Sequence, residues 1–203
     1  MSGVTNTTII LRAVAVLLLT AAWAIPVAAD FEGGEDLLSF SFGYAGAELE
    51  ESSQWLSGTM FTINLDHFLA EGQWSLSVNA SFTTMDPEVQ PSDTMKQEVT
   101  TWPVYLGGKY WFGPGPLKLY VGGALGVYLS TLKTTPASTG VARTDVSNTG
   151  MGLAVPAGVT LRLGKYAALY VNYTLNWLWS SDALKNNVLH TVGAGVGFRI
   201  SGP

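Results

Sequence analysis

The chain has two histidines and no cysteine in 203 residues, so the chemistry open to it is narrow. His67 directly follows Asp66. His190 lies one loop beyond Ser180, Ser181 and Asp182. A hydroxyl, an imidazole and a carboxylate are the parts of a nucleophilic triad, because the hydroxyl needs a base and the base needs an orienting acid. Serine and aspartate are also the commonest turn residues, and no catalytic residue is assigned. Carboxylates gather at Glu48, Glu50 and Glu51, then at Asp86, Glu88, Asp93 and Glu98. Such a rim suits a divalent cation, the basic surface of a partner, or plain solvation. No metal or cofactor is expected. Gly193, Gly195 and Gly197 alternate at strand spacing, with no strand-to-helix switch to cradle a phosphate.

The elements that position these residues begin after an export signal. Arg12 is the one charged side chain before Asp30. An apolar run from Ala13 to Ile25 follows it, broken by Pro26, and Val27-Ala28-Ala29 supplies small residues. The run is about 13 residues, short of the roughly 20 that a spanning helix needs. Residues 1–29 read as a signal peptide cleaved after Ala29, and 30–203 as the exported domain. Charged residues are 12% of the chain, against about 25% in an ordinary soluble domain. The net charge of −5 argues against nucleic acid, which needs a basic surface.

Residues 30–203 alternate with period 2, the mark of strands with two unlike faces. Trp74, Leu76, Val78, Ala80 and Phe82 share one face; Ser75, Ser77, Asn79, Ser81 and Thr83 share the other. Eight such segments fall near 37–47, 56–66, 74–84, 101–112, 118–131, 151–162, 169–179 and 188–200. A soluble barrel would put the apolar face inward and cover its outside with Lys and Glu. Here the polar face is Ser, Thr, Asn, Gly and Tyr, which suits a narrow lumen, while the apolar face suits lipid. The fold expected is all-β: an eight-stranded antiparallel up-and-down transmembrane barrel. Gly122, Gly126, Gly193, Gly195 and Gly197 would make room inside for Tyr105, Tyr120, Tyr128 and Tyr170.

The segments carry five charged residues: Asp66, Lys109, Lys118, Arg162 and Arg199. All have inward parity and lie at one end, which suggests a lumenal charge cluster in which Asp66 pairs Lys109 or an arginine. Side chains that simply reach water would look the same in sequence. Loop length orients the barrel, because outer-membrane barrels have short periplasmic turns and longer external loops. The connections at 67–73, 113–117 and 163–168 are short and read as periplasmic. Those at 48–55, 85–100, 132–150 and 180–187 read as external. Pro156 cannot donate to a ladder, so a bulge or local defect is expected there. Pro103 poses the same problem nearer a strand end.

The runs Pro103-Val-Tyr-Leu-Gly-Gly-Lys-Tyr-Trp-Phe-Gly113, Leu119-Tyr-Val-Gly-Gly-Ala-Leu-Gly-Val-Tyr128 and His190-Thr-Val-Gly-Ala-Gly-Val-Gly-Phe-Arg-Ile200 resemble the small outer-membrane β-barrels. These are the OmpA-like transmembrane domain and its OmpX/Ail and OmpW-type relatives. The resemblance implies localisation in a bacterial outer membrane; a peptidoglycan-binding domain like that of full-length OmpA proteins is not expected. It also implies contact with outer-membrane lipid, lipopolysaccharide and the barrel-assembly machinery. Barrels of this size also include lipid A-modifying enzymes. The deacylase type uses His-x-Ser, whereas His190-Thr191-Val192 has no serine two residues on. The expectation is a monomeric, non-enzymatic barrel with a structural or surface-interaction role and little or no open pore. Extracellular partners would act through loops 85–100 and 132–150. The alternatives are a small-solute pore and a lipid A-modifying enzyme.

Overall fold

A computed structural model describes residues 31–48, 55–69, 72–87, 95–113, 115–136, 144–179 and 188–202. The signal-peptide reading of 1–29 lies outside them. The described residues form eight strands: β1 (Asp36–Glu48), β2 (Trp55–Phe68), β3 (Trp74–Pro87), β4 (Met95–Phe112), β5 (Leu117–Pro136), β6 (Thr144–Leu163), β7 (Ala167–Leu178) and β8 (Val188–Ser201). Each pairs antiparallel with the next, and β8 pairs back onto β1 to close the barrel. A closed antiparallel sheet satisfies every strand edge, which an apolar solvent demands.

The two faces are sorted as the alternation predicts. On β3, Trp74, Leu76 and Val78 are 54%, 53% and 47% exposed, while Ser75, Ser77 and Asn79 are 1%, 3% and 4% exposed. The apolar side chains therefore face out and the polar ones in, the reverse of a soluble domain and the right order for a chain in lipid.

Three strands outrun the sequence reading. β4 has 18 residues and β5 and β6 have 20 each, against 12 to 14 in the others. A tilted strand needs about 9–11 to cross a bilayer. The additional residues, 95–100, 132–136 and 144–150, continue in register as Glu98↔Lys133, Val99↔Leu132 and Lys133↔Asp145. They are mostly polar, with Val99 and Leu132 packed in the apolar cluster, so the ladder persists where the strict alternation stops. Much of the expected loops 85–100 and 132–150 is therefore sheet.

Both prolines point inward and are buried. Each interrupts pairing on one side only. The β5–β6 ladder skips from Val121↔Ala157 to Ala124↔Ala154 around Pro156, and the β3–β4 ladder skips from Ala80↔Val104 to Thr83↔Thr101 around Pro103. On their other sides Pro156↔Thr174 and Pro103↔Tyr128 remain paired. The register is unchanged across each gap, so the expected disturbance is a local break and not a bulge. Gly122 faces Pro156; a Cβ there would come within 3.2 Å of the proline ring.

Candidate functional site

The lumen is stratified along its axis. At the end bearing the short turns, Asp66 and Lys109 form an ion pair of 2.8 Å, with side chains 2% and 7% exposed. They come from neighbouring parts of the wall: Asp66 pairs Ser77 across β2–β3, and Lys109 pairs Ser75 across β3–β4. The Lys109 ammonium also donates to Asn64 Oδ1 at 3.2 Å, and the Asn64 amide donates to Asp66 Oδ2 at 2.6 Å. Ser77 donates to Asn64 and Trp111 Nε1 to Ser75. The Tyr120 ring lies 5.1 Å from the ammonium. A buried charge is tolerated only when paired and hydrogen-bonded, and both ions here meet that condition.

A second buried pair closes the mouth below. Arg162 Nη1 donates to Glu35 Oε2 at 3.1 Å, and Nη2 lies 3.0 Å from Oε1 as a close ionic contact. Glu35 arrives on the segment before β1, which turns into the barrel. Phe31 leads that segment, 3% exposed, stacked on Phe68 at 4.1 Å and edge-on to Trp111 at 5.0 Å. The Arg162 guanidinium covers its ring at 4.6 Å. Gly34 N–H donates to Phe68 O and Phe68 N–H to Glu35 O, so backbone bonds hold the segment as a cork. Gly72 has φ 65°, and a Cβ there would sit 1.8 Å from Phe31 O. Only glycine lets that turn pass the cork.

The middle of the lumen is packed by tyrosines. Tyr105, Tyr120, Tyr128 and Tyr170 are all at least nine-tenths buried. The space remaining beside Asp66 and Lys109 is about 20 Å³, room for roughly one water-sized sphere. The glycines that accommodate the rings differ in part from those expected. Gly126 admits Tyr105, as expected, but Gly158 admits Tyr120 and Gly152 admits Tyr128. Gly195 instead lies against the Phe40 carbonyl and Gly197 against Ser39.

Towards the other end the inward row changes from polar to apolar. Leu56, Met60, Met85, Val99, Leu178 and Leu189 are each no more than 3% exposed and form one cluster with Tyr128.

The five charges of the sequence reading are not one cluster. Asp66 and Lys109 join, and Arg162 takes Glu35. Lys118 sits at the rim and donates to the Gly113 carbonyl at 2.6 Å. Arg199 is 4.0 Å from Glu32. Glu35, Glu32 and Phe31 were missed because they precede the first alternating segment. The signal that pointed to them was the imbalance itself: four inward cations need more carboxylates than Asp66.

Both histidines have partners away from the lumen. His67 pairs Asp36 at 2.7 Å on the short-turn rim. His190 shares outward parity with Val192 and contacts the Tyr173 hydroxyl at 2.7 Å, near Trp55. Ser180, Ser181 and Asp182 lie outside the described residues, so no triad is assembled among those described. No metal-ligand group of three or more occurs among them either.

The family model described as "Outer membrane protein beta-barrel domain" matches residues 13–199. No curated protein matches the chain. Neisserial surface protein A is similar in structure, with a TM-score of 0.63 and 18% identity over 81% of this chain and 97% of that one. Ail, the attachment invasion locus protein of Yersinia pestis, is similar at a TM-score of 0.56 and 16% identity, over 82% and 99%. Ail in complex with the heparin analogue sucrose octasulfate gives 0.55 and 19%, over 82% and 99%.

Proposed function

Because this chain belongs to the outer-membrane protein β-barrel domain family, we propose that it is a closed, non-enzymatic barrel that presents a recognition sheet outside the cell. The short-turn end then faces the periplasm and the long strands β4–β6 face out, in keeping with the usual loop asymmetry.

The protruding sheet carries this reading. β6 pairs with β7 only from Gly152 onward, so Thr144–Gly150 is bonded to β5 alone among the described residues. A strand edge with free N–H and C=O groups is a template for an incoming strand. The segments 48–55, 85–100, 132–150 and 180–187 hold nine carboxylates against four basic residues. That balance favours a partner with a basic, extended segment. Ail is a barrel of the same fold whose structure holds a heparin analogue; the acidic sign here argues for a cationic partner instead.

The closed lumen supports a role other than a pore. A tyrosine layer, an apolar layer and a cork lie in series. The lipid A-modifying alternative has less support, because His190 is engaged by Tyr173 on the outward face.

The test compares cells displaying the whole barrel with cells whose β5–β6 hairpin is cut back between Leu132 and Val146. A cationic β-hairpin peptide should bind the whole barrel and lose most of its binding to the shortened one. Equal binding to both overturns the reading. Planar-bilayer conductance checks closure, and mass spectrometry of lipid A from the same cells checks for enzymatic modification.

A further inference from the structure

Two of the inward cations are neutralised at close range, Lys109 by Asp66 and Arg162 by Glu35. Arg199 is held differently. Its side chain is 7% exposed, yet the carboxylate nearest to it, Glu32, is 4.0 Å away and itself 49% exposed. A guanidinium taken out of water with so loose a counter-ion is poorly compensated. Of the other described carboxylates at this mouth, Asp36 is engaged by His67 and by the Ser201 hydroxyl, and Glu35 by Arg162.

Arg199 lines an open pocket of about 220 Å³ with Lys165, Tyr166, Ile200, Ser201 and Gly202. The Arg199 N–H donates to Tyr166 O at 2.9 Å, which brings β8 against the β6–β7 turn. Gly202, at φ 122°, packs against Glu35; a Cβ there would come within 2.7 Å of Glu35 Cα and 3.3 Å of Arg199 Nη2. The Lys165 ammonium lies 6.0 Å from the Tyr166 ring. Tyr166 and Ile200 are 68% and 57% exposed. The pocket thus joins two cations to an aromatic and an aliphatic side chain at the edge of the lipid-facing surface.

We propose that this pocket binds the phosphodiester of a glycerophospholipid in the periplasmic leaflet. Arg199 and Lys165 contact the phosphate, and the acyl chains run over Tyr166 and Ile200. A guanidinium matches phosphate geometry through its fixed fork, and a lysine adds a mobile point charge. Basic pockets at a membrane boundary take phosphate headgroups in the same way. Free phosphate shares the headgroup chemistry, but it would make no use of the exposed Tyr166 and Ile200. The leaflet rests on the orientation proposed above; the binding chemistry does not.

The test uses the purified, delipidated barrel in a non-ionic detergent, with bound lipid read by native mass spectrometry. The probes are dimyristoyl phosphatidylglycerol, dimyristoylglycerol without phosphate, and inorganic phosphate. The barrel should retain phosphatidylglycerol and release the phosphate-free lipid. Arg199→Gln should lower retention about tenfold, the scale of one charge-assisted hydrogen bond, and Lys165→Gln by a smaller factor. Heat-modifiable gel mobility verifies folding of each variant. Should Arg199→Gln fail to fold, Lys165→Glu at the exposed turn carries the test, with retention again expected to fall. Undiminished retention in the folded variants overturns the proposal, as does equal retention of dimyristoylglycerol. Displacement of the lipid by millimolar inorganic phosphate overturns the choice of a lipid ligand. Because the measurement is made in detergent, a negative result leaves the recognition-sheet reading standing, and failure of that reading leaves this pocket untouched.

Discussion

Glu35 and Arg162 are 127 positions apart in the chain and meet at 3.0 Å, with neither side chain more than 4% exposed. The pair fastens the segment before β1 to the end of β6, on the opposite wall of the mouth. Removing one partner of a buried pair leaves an uncompensated charge and costs about 3–5 kcal/mol. Glu35→Ala should therefore lower the urea midpoint of the barrel in lipid vesicles. Glu35→Gln combined with Arg162→Met should recover much of the loss, since no buried charge remains. An unchanged midpoint for Glu35→Ala would show that the pair contributes nothing.

Asp66→Ala should destabilise on the same scale, because Lys109 would keep its charge in a site 7% exposed. Heat stability of the folded form on gels should fall. Conductance in planar bilayers should stay at the wild-type level, because the layer of Leu56, Met60, Met85 and Val99 remains intact above it. A new open state in the single variant would place the barrier at the ion pair instead.

Phe31→Ala tests the cork. Truncating a buried Phe costs about 3–5 kcal/mol in a packed core. Here it would also remove the ring stacked on Phe68 and covered by Arg162. Acrylamide should then reach Trp111 more readily, read as the difference from the same variant carrying Trp111→Phe. Unchanged quenching would mean that the segment does not shield the mouth.

Two glycines on paired strands should respond differently. A Cβ on Gly158 would meet the Tyr120 hydroxyl at 2.6 Å and Val171 O at 2.5 Å. Gly158→Ala should cost about 1–3 kcal/mol by overpacking. Gly123 has nothing within 4 Å of the same position, and Gly123→Ala should leave the unfolding midpoint close to wild type. Equal effects would remove the steric explanation.

The strands were legible because lipid imposes a sharp contrast between faces. The Trp74-to-Thr84 alternation fixes both the element and the direction of each side chain. The contrast weakens beyond the membrane span, where polar residues fill much of both faces, which is why 95–100 and 144–150 read as loop although they pair. Asp66 and Lys109 could be placed at one end by parity, but parity does not choose partners. Arg162 shows why: its carboxylate comes from Glu35, outside any periodic segment. The apolar upper lumen was also hidden. Leu56, Met85 and Leu189 sit at strand ends, where an inward apolar residue cannot be told from an outward one by composition.

The seam between β1 and β8 has a bearing on quality control. Asp36 pairs Ser201, so the final ladder joins the two ends of the domain. A chain arrested before β8 would carry two unpaired edges, each a row of polar groups that hydrocarbon cannot solvate. There is no half-built barrel that a bilayer tolerates. An incomplete copy would therefore remain in the periplasm, exposed to proteolysis, and the membrane itself would act as the proofreader of its length.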